Sequence, residues 1–316
     1  MKFELEIIHW LQSIRTPLLD TLFEFFTLFG EEVVVIIVLG AVYWCINKKA
    51  GERLGITVFI SLGLNSVLKF LIMRPRPFVV DDTIINLRPE TSGGYSMPSG
   101  HAQTASTLTF GLYQFFKKNY LLILAIIVST LVALSRMYIG VHYLSDVILG
   151  VLLGIVITYV LYNWLRKKDD LTVINNFILV LSLIALIVVF IINIIELAKT
   201  TFDSQLFYFN TEAIAKMLGT LVGFVIGIKL ENKVVNFSNH NNLFKNMLRL
   251  ILGLGIIMIL RLGLKEIFKL LVNPDNLVDD QIFLSILASF FDFLRYVIMV
   301  VVGIGLYPAI FKKINI

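Results

Sequence analysis

Long apolar runs separated by short polar stretches extend from about residue 29 to residue 308, and they decide which class of fold is open to this chain. About 20 consecutive apolar residues make a helix long enough to cross the hydrocarbon of a bilayer. Runs of this kind lie near 29–46, 54–73, 101–116, 120–136, 143–165, 173–196, 212–230, 248–266 and 284–308, which predicts nine membrane spans. The run at 101–116 is short and crosses only if its polar mouth sits in a protein-lined cavity. With 58% apolar and 16% charged residues, the chain is far from a soluble domain, where about 25% of residues are charged. The expected fold class is all-α, a polytopic helical membrane protein.

The 27 basic and 22 acidic residues give a net charge of +5. The basic residues sit in clusters between apolar runs and not on one face, which speaks for membrane topology and against nucleic acid. The clusters are Lys48, Lys49 and Arg53; Lys117 and Lys118; Arg166, Lys167 and Lys168; Lys229, Lys233, Lys245 and Arg249; and Lys312 and Lys313. With nine spans they all fall on one side, which the positive-inside rule makes cytoplasmic. The N-terminus and the loops 74–98, 137–142, 197–211 and 267–283 then face outward, and the C-terminus is cytoplasmic. Residues 1–28 alternate charge with apolar side chains, carry Trp10 and are interrupted near Pro17. They lack the long apolar core and cleavage site of a signal peptide and read as an amphipathic interfacial segment. Cys45, the single cysteine, lies within an apolar run, has no partner for a disulfide in this chain and reads as a core thiol.

Three arginines, Arg74, Arg76 and Arg88, sit in an outward loop against the positive-inside rule. Chemistry gives a reason for cations there. Lys69 closes the second span and Arg76 follows it; Ser99, Gly100 and His101 open the third; Ser135 and Arg136 end the fourth; His142 and Asp146 open the fifth. All lie at one membrane face. His142 and Asp146 are four residues apart, so on a helix the carboxylate holds one imidazole nitrogen and leaves the other free to attack. The helix start after Ser99 offers free N–H groups to phosphate oxygens, Arg76 and Arg136 offer forks, and Lys69 a point charge. Two histidines in distinct surroundings predict a two-step reaction through a phosphohistidine, with His142 attacking phosphorus and His101 serving as acid and then base.

These blocks resemble the signature of the type 2 phosphatidic acid phosphatase (PAP2) superfamily, K-x6-R-P, P-S-G-H and S-R-x5-H-x3-D. Here they read Lys69, Arg76 and Pro77; Pro98, Ser99, Gly100 and His101; and Ser135, Arg136, His142 and Asp146, without a departure. The resemblance implies a six-helix membrane core, to which the span count adds about three further C-terminal transmembrane helices. It also implies hydrolysis of lipid phosphates or pyrophosphates with neither metal nor other cofactor. It gives His142 the role of nucleophile, His101 that of acid–base, and Asp146 that of partner to His142. Lys69, Arg76, Ser99, Gly100 and Arg136 take the phosphate. The stretch GYSMPSGHAQTA and the outward site are similar to bacterial members acting on undecaprenyl pyrophosphate, which implies a bacterial cytoplasmic membrane. The expected division is 1–28 interfacial, 29–196 catalytic core and 197–316 a C-terminal extension.

Several readings stay open beside this one. Phosphatidate, phosphatidylglycerophosphate or a sphingoid phosphate would fit the same pocket, as would transfer of the phosphoryl group to another lipid. A transporter or lipid scaffold is the reading without catalysis. Arg261, Asp292 and Arg295 are costly at membrane depth and form either a structural charge network or a contact for a lipid headgroup. Gly150 with Gly154, and Gly219, Gly223 and Gly227, form small-residue faces for a neighbouring helix. For the second of these, the neighbour is a helix of this chain or of a second copy in a homodimer.

Overall fold

The structure, a computed structural model, describes residues 2–197 and 204–314. It is 82% helical, with no strand among the described residues. Contacts divide it into two compact units, residues 1–39 with 49–168 and residues 40–48 with 169–316. The protein is a polytopic helical membrane protein.

The first unit contains α1 (Lys2–Ser13), α2 (Pro17–Thr27), α3 (Glu32–Gly40), α4 (Lys48–Ile72), α5 (Pro77–Val80), α6 (Gly100–Phe116), α7 (Asn119–Tyr138) and α8 (Leu144–Leu165), with α3 and α4 reaching its edges. The N-terminal segment is interrupted before Pro17, which starts α2. Thr16 caps it, its hydroxyl accepting the Leu19 N–H at 3.2 Å, and a proline at the first helical position loses no hydrogen bond. Residues 17–30 and 32–46 then make a pair of helices bent by 52° at the break, either a broken span or a re-entrant loop. The chain from 74 to 98 forms α5, a turn at Pro89–Thr91 and irregular backbone.

The glycines of α8 let it close on α6. A Cβ on Gly150 would lie 2.6 Å from the Ser99 carbonyl, and one on Gly154 2.8 Å from that of Gln103. Hydrogen bonds cross the same seam from Ser106 to the Val151 carbonyl (3.1 Å) and from Thr158 to the Thr107 carbonyl (3.3 Å). The opposite character shows on the outer faces, where Ile123, Ile127, Leu152, Val156 and Val160 stand exposed. An apolar surface of that extent suits lipid and not water.

The second unit contains α9 (Thr172–Leu197), α10 (Ser204–Leu230), α11 (Leu243–Leu271), α12 (Ile282–Val300) and α13 (Ala309–Lys313), with π-helical turns at Ala41–Ile46, Glu231–Val235 and Val301–Leu306. The Gly219/Gly223/Gly227 face of α10 lies on α12 and the π-helical turn that follows it. Built Cβ atoms there would stand 2.3 Å from the Phe293 carbonyl, 2.8 Å from that of Val297 and 3.1 Å from Ile304. That face is filled within the chain, by the first of the two neighbours expected for it. Arg249, counted above with the cytoplasmic cluster, turns inward and donates to the Trp44 and Ser238 carbonyls, each at 3.1 Å.

Each expected span falls on a helix, but the count of nine is not met by length and apolarity. Among the described residues six helices pass that test, and the bent pair makes up to seven. Helix α6 has 17 residues. Its buried residues include Gln103, Thr104, Ser106, Thr107 and Thr109, because it is surrounded by protein and not by lipid. Helix α4 carries Lys48, Lys49, Glu52, Arg53 and Lys69. The compact units also divide elsewhere than expected. Residues 2–28 belong with the first unit, which ends at Lys168, and α9 groups with the second.

Candidate active site

The chain around 139–146 turns sharply between α7 and α8, and that turn sets the histidine. Gly140 has φ +81°, a left-handed conformation that glycine adopts without strain. The Asp146 side chain accepts the Tyr143 N–H at 2.9 Å, capping α8 and fixing itself beneath His142. His142 and Asp146 are buried, and His142 Nδ1 lies 3.4 Å from Asp146 Oδ2. Ser96 completes the arrangement: its hydroxyl donates to Asp146 Oδ2 in a short bond and lies 3.3 Å from His142 Nδ1.

On the other side of the ring, His142 Nε2 is 3.3 Å from Arg76 Nη1. A guanidinium only donates, so the contact assigns the lone pair to Nε2 and the proton to Nδ1, facing Ser96 and Asp146. Burial pushes the His142 imidazole well below its ordinary value of 6.5, and the charges of Arg76, Lys69 and Arg136 act in the same direction. Both effects favour the neutral ring, with the Nε2 lone pair facing Arg76. Burial also brings Arg76 down to about 10, opposed by the charge of Asp146.

The cations expected to hold phosphate are steadied by backbone carbonyls of residues 91–96. Arg76 donates from Nε to Gly94 (2.9 Å) and from Nη2 to Gly93 (2.7 Å), and from Nη1 to Val141 (3.0 Å). Lys69 donates to Tyr95 (2.5 Å) and Ser96 (3.5 Å). Arg136, fully buried, donates from Nη1 to the Thr27 hydroxyl (2.9 Å) and from Nη2 to the Thr91 carbonyl (3.3 Å). Lys69, Arg76 and Arg136 thus surround one buried imidazole with positive charge, which is what a phosphoryl group requires.

The Ser99–Gly100–His101 segment begins α6 beside them. Ser99 N–H donates to the Asp146 carbonyl at 3.0 Å, which ties the segment to α8. The Ser99 hydroxyl makes no capping bond. It and His101 Nε2 are buried and have no hydrogen-bond partner among the described residues. Gly100 faces Asn65 Oδ1 at 3.4 Å, measured from a built Cβ, and Asn65 donates to Gln103 Oε1 at 2.8 Å and to the Pro98 carbonyl at 3.4 Å. His101 packs on Gly30, where a Cβ would approach its backbone to 2.7 Å.

The two other loop arginines have structural partners. Arg88 pairs with Glu31 at 3.0 Å and with Glu90, holding the loop to the break between α2 and α3. Arg74 reaches Asp146. Sequence reasoning gives no role to Ser96, Thr27, Thr91 or Glu4, and it marks Arg74 only as an exception to the positive-inside rule.

The second charge cluster lies in the second unit. Arg295 Nη2 pairs with Asp292 Oδ1 at 2.6 Å, and the Tyr208 hydroxyl donates to Asp292 Oδ2 at 2.8 Å. Arg261 lies in the second half of α11. Among the described residues no group of three or more His, Cys, Asp or Glu side chains is arranged to hold a metal ion.

Residues 52–170 match the family model of the PAP2 superfamily, and residues 215–316 match that of the PAP2 superfamily phosphatase transmembrane extension. The chain is 33% identical over 158 residues to human sphingosine-1-phosphate phosphatase 2, across 47% of this chain and 39% of that protein. It is 35% identical over 153 residues to the undecaprenyl-diphosphatase of Sulfolobus acidocaldarius, across 48% of this chain and 73% of that protein. The crystal structure of Aquifex aeolicus LpxE aligns with a TM-score of 0.47 and 26% identity, covering 51% of this chain and 95% of that one. With both parts of its length matched and most of the archaeal relative covered, this chain belongs to the PAP2 superfamily.

Proposed function

We propose that this protein is a membrane lipid phosphatase that hydrolyses a lipid phosphate or pyrophosphate through a phosphohistidine, with no metal in the reaction. The observation that carries this reading is the orientation of His142. Its Nε2 lone pair faces the cations while Nδ1–H faces Asp146 and Ser96.

In the first step His142 Nε2 attacks phosphorus in line, and the bond from phosphorus to the lipid-side oxygen breaks. His101 donates a proton to that oxygen. Asp146 supports the positive charge that develops on the imidazole. In the second step His101 accepts a proton from water, the hydroxide attacks phosphorus, and the phosphorus–nitrogen bond breaks to release phosphate. Lys69, Arg76, Arg136, Ser99 and the N–H groups from Gly100 onward hold the phosphoryl oxygens as charge redistributes.

The favoured substrate is a polyprenyl pyrophosphate. The substrate named for the archaeal relative and the expected outward face of the site support it. In this reading the protein sits in a bacterial cytoplasmic membrane, site and N-terminus outward and C-terminus inside, as the Lys117–Lys118 and Arg166–Lys168 clusters suggest. A sphingoid phosphate is the second reading, supported by the substrate named for the human relative. The test is phosphate release from purified polyprenyl pyrophosphate, sphingosine-1-phosphate and phosphatidate in detergent with EDTA. Release that persists in EDTA and is abolished by His142→Ala is expected. Release surviving His142→Ala, or requiring Mg²⁺, overturns the mechanism.

A further inference from the structure

The Asp146 carboxylate is held at both oxygens. Oδ2 takes the Tyr143 N–H and the Ser96 hydroxyl and faces His142. Oδ1 takes Arg74 Nη1 at 2.7 Å. The orientation of the carboxylate relative to His142 therefore depends on where the Arg74 guanidinium sits.

Arg74 is itself fixed by the N-terminal helix. Its Nη2 donates to Glu4 Oε2 at 2.6 Å, and its Nη1 also donates to the Ser145 hydroxyl at 2.6 Å. Glu4 Oε1 accepts from both the N–H (2.9 Å) and the hydroxyl (2.6 Å) of Ser145, at the start of α8. Glu4, Arg74 and Ser145 thus close a ring of charge-assisted hydrogen bonds directly against Asp146. The guanidinium lies 3.8 Å over the Tyr143 ring, and the Arg74 carbonyl accepts the Ser96 N–H at 2.8 Å. One residue positions both groups that face His142 Nδ1. Hydrogen bonds to Ser145 and Arg74 more than offset the effect of burial and hold the Glu4 carboxyl below its ordinary value, so it is ionised at pH 7.

Helix α1 is built to bring Glu4 there. Ile8 and Leu11 are buried on its inner side, while Phe3 and Trp10 are 67% and 63% exposed, a pattern that suits the membrane interface. His9 binds Asp81 at 2.9 Å, and Gln12 donates to the Ile85 carbonyl at 2.8 Å and accepts its N–H at 3.0 Å, so α1 also holds the loop that carries Ser96.

We propose that Glu4 is a positioning residue for the reaction: acting through Arg74, it fixes the Asp146 carboxylate against which His142 is aligned. The inference rests on the phosphatase reading above. It makes the N-terminal helix part of the working site and not only its anchor.

The test uses the full chain in lipid nanodiscs with the best lipid phosphate from the panel above. Glu4→Gln keeps the shape and removes the charge, Arg74→Lys removes the fork, and Glu4→Asp is the conservative rescue. Glu6→Gln makes the same charge change at an exposed position of the same helix. Misalignment of this kind lowers kcat by about ten- to a hundredfold, with KM and melting temperature unchanged in Glu4→Gln. Partial recovery in Glu4→Asp and wild-type rates in Glu6→Gln are expected. The double variant Glu4→Gln with Arg74→Lys should lose no more than Arg74→Lys alone, since both act on one path.

A second readout does not depend on turnover: the ¹⁵N resonances of the His142 ring, assigned with His142→Gln, should shift or broaden at Nδ1 in Glu4→Gln. An active wild type with equally active Glu4→Gln overturns the inference and leaves the phosphatase reading intact. A loss of activity only in proportion to lost folded protein also overturns it. A wild type without phosphatase activity overturns the function, and the Nδ1 signal then decides the positioning role, an unchanged signal counting against it.

Discussion

Gly150 stands against Ser99 with no room for a side chain: a Cβ there would lie 2.6 Å from the Ser99 carbonyl oxygen. The Ser99 N–H is bonded to the Asp146 carbonyl one turn earlier on the same helix. The segment that opens α6 cannot retreat without breaking that bond.

Gly150→Ala should therefore cost about 1–3 kcal/mol in overpacking. It should also slow phosphate release, because Ser99 and His101 are displaced together. Melting in detergent and the rate per folded molecule measure the two effects. A variant with wild-type melting and rate would mean that this close approach does not fix the segment.

The depressed His142 gives a pH signature. Its folded value lies well below its ordinary 6.5, through burial first and then through Arg76, Lys69, Arg136 and His101. Below about pH 6.5 the unfolded chain takes up a proton that folded His142 refuses, so stability falls as pH drops through that range. Melting of the wild type should fall from pH 7 to pH 5 more steeply than that of His142→Gln. The acid limb of kcat/KM, which reports the free enzyme, should lie below pH 6.5. Equal slopes in the two proteins would contradict a buried neutral imidazole.

Ser96 faces His142 Nδ1 at 3.3 Å and donates to Asp146. Ser96→Ala removes one of the two groups that orient the ring and leaves the cations unchanged. The expected result is a fall in kcat of about tenfold with KM within a factor of two. A change confined to KM would instead make Ser96 a substrate contact.

In the second unit, Asp292 compensates Arg295 and accepts from Tyr208. Asp292→Asn leaves a buried guanidinium uncompensated, at a cost of about 3–5 kcal/mol. Replacing the pair by leucine and methionine should restore most of the melting temperature. If the cluster meets headgroups as well, Arg261→Ala will raise KM for a pyrophosphate more than for a monophosphate. Unchanged kinetics with lower yield would leave it a purely structural network.

The signature residues were legible because their chemistry repeats at helical spacing, and because three arginines stand where the expected topology disfavours them. The His142–Asp146 pair and the close face at Gly150 and Gly154 follow from spacing of four along one helix. What spacing does not encode is contact between distant segments. Thr27 meets Arg136 across 109 positions, and Glu4 meets Ser145 across 141. Such pairs depend on how α1, α2 and the 74–98 loop pack. Helix α6 misled on length because apolarity measures exposure to lipid, and its buried face is lined with Gln103, Thr104, Ser106 and Thr107. The two glycine faces look alike in sequence; only packing shows that α10 closes on α12.

The collar of carbonyls from Thr91 to Ser96 has an evolutionary consequence. Lys69 and Arg76 are gripped by peptide oxygens, which every residue type supplies alike, while Arg136 adds the Thr27 hydroxyl to the Thr91 carbonyl. The side chains of Ser92 and Tyr95 can be exchanged without releasing a cation, provided the backbone keeps its path. That stretch is thereby free to vary in shape and polarity while the chemistry beneath it stays constant. One reaction could in this way be handed from one headgroup to another by altering a few side chains of a single loop.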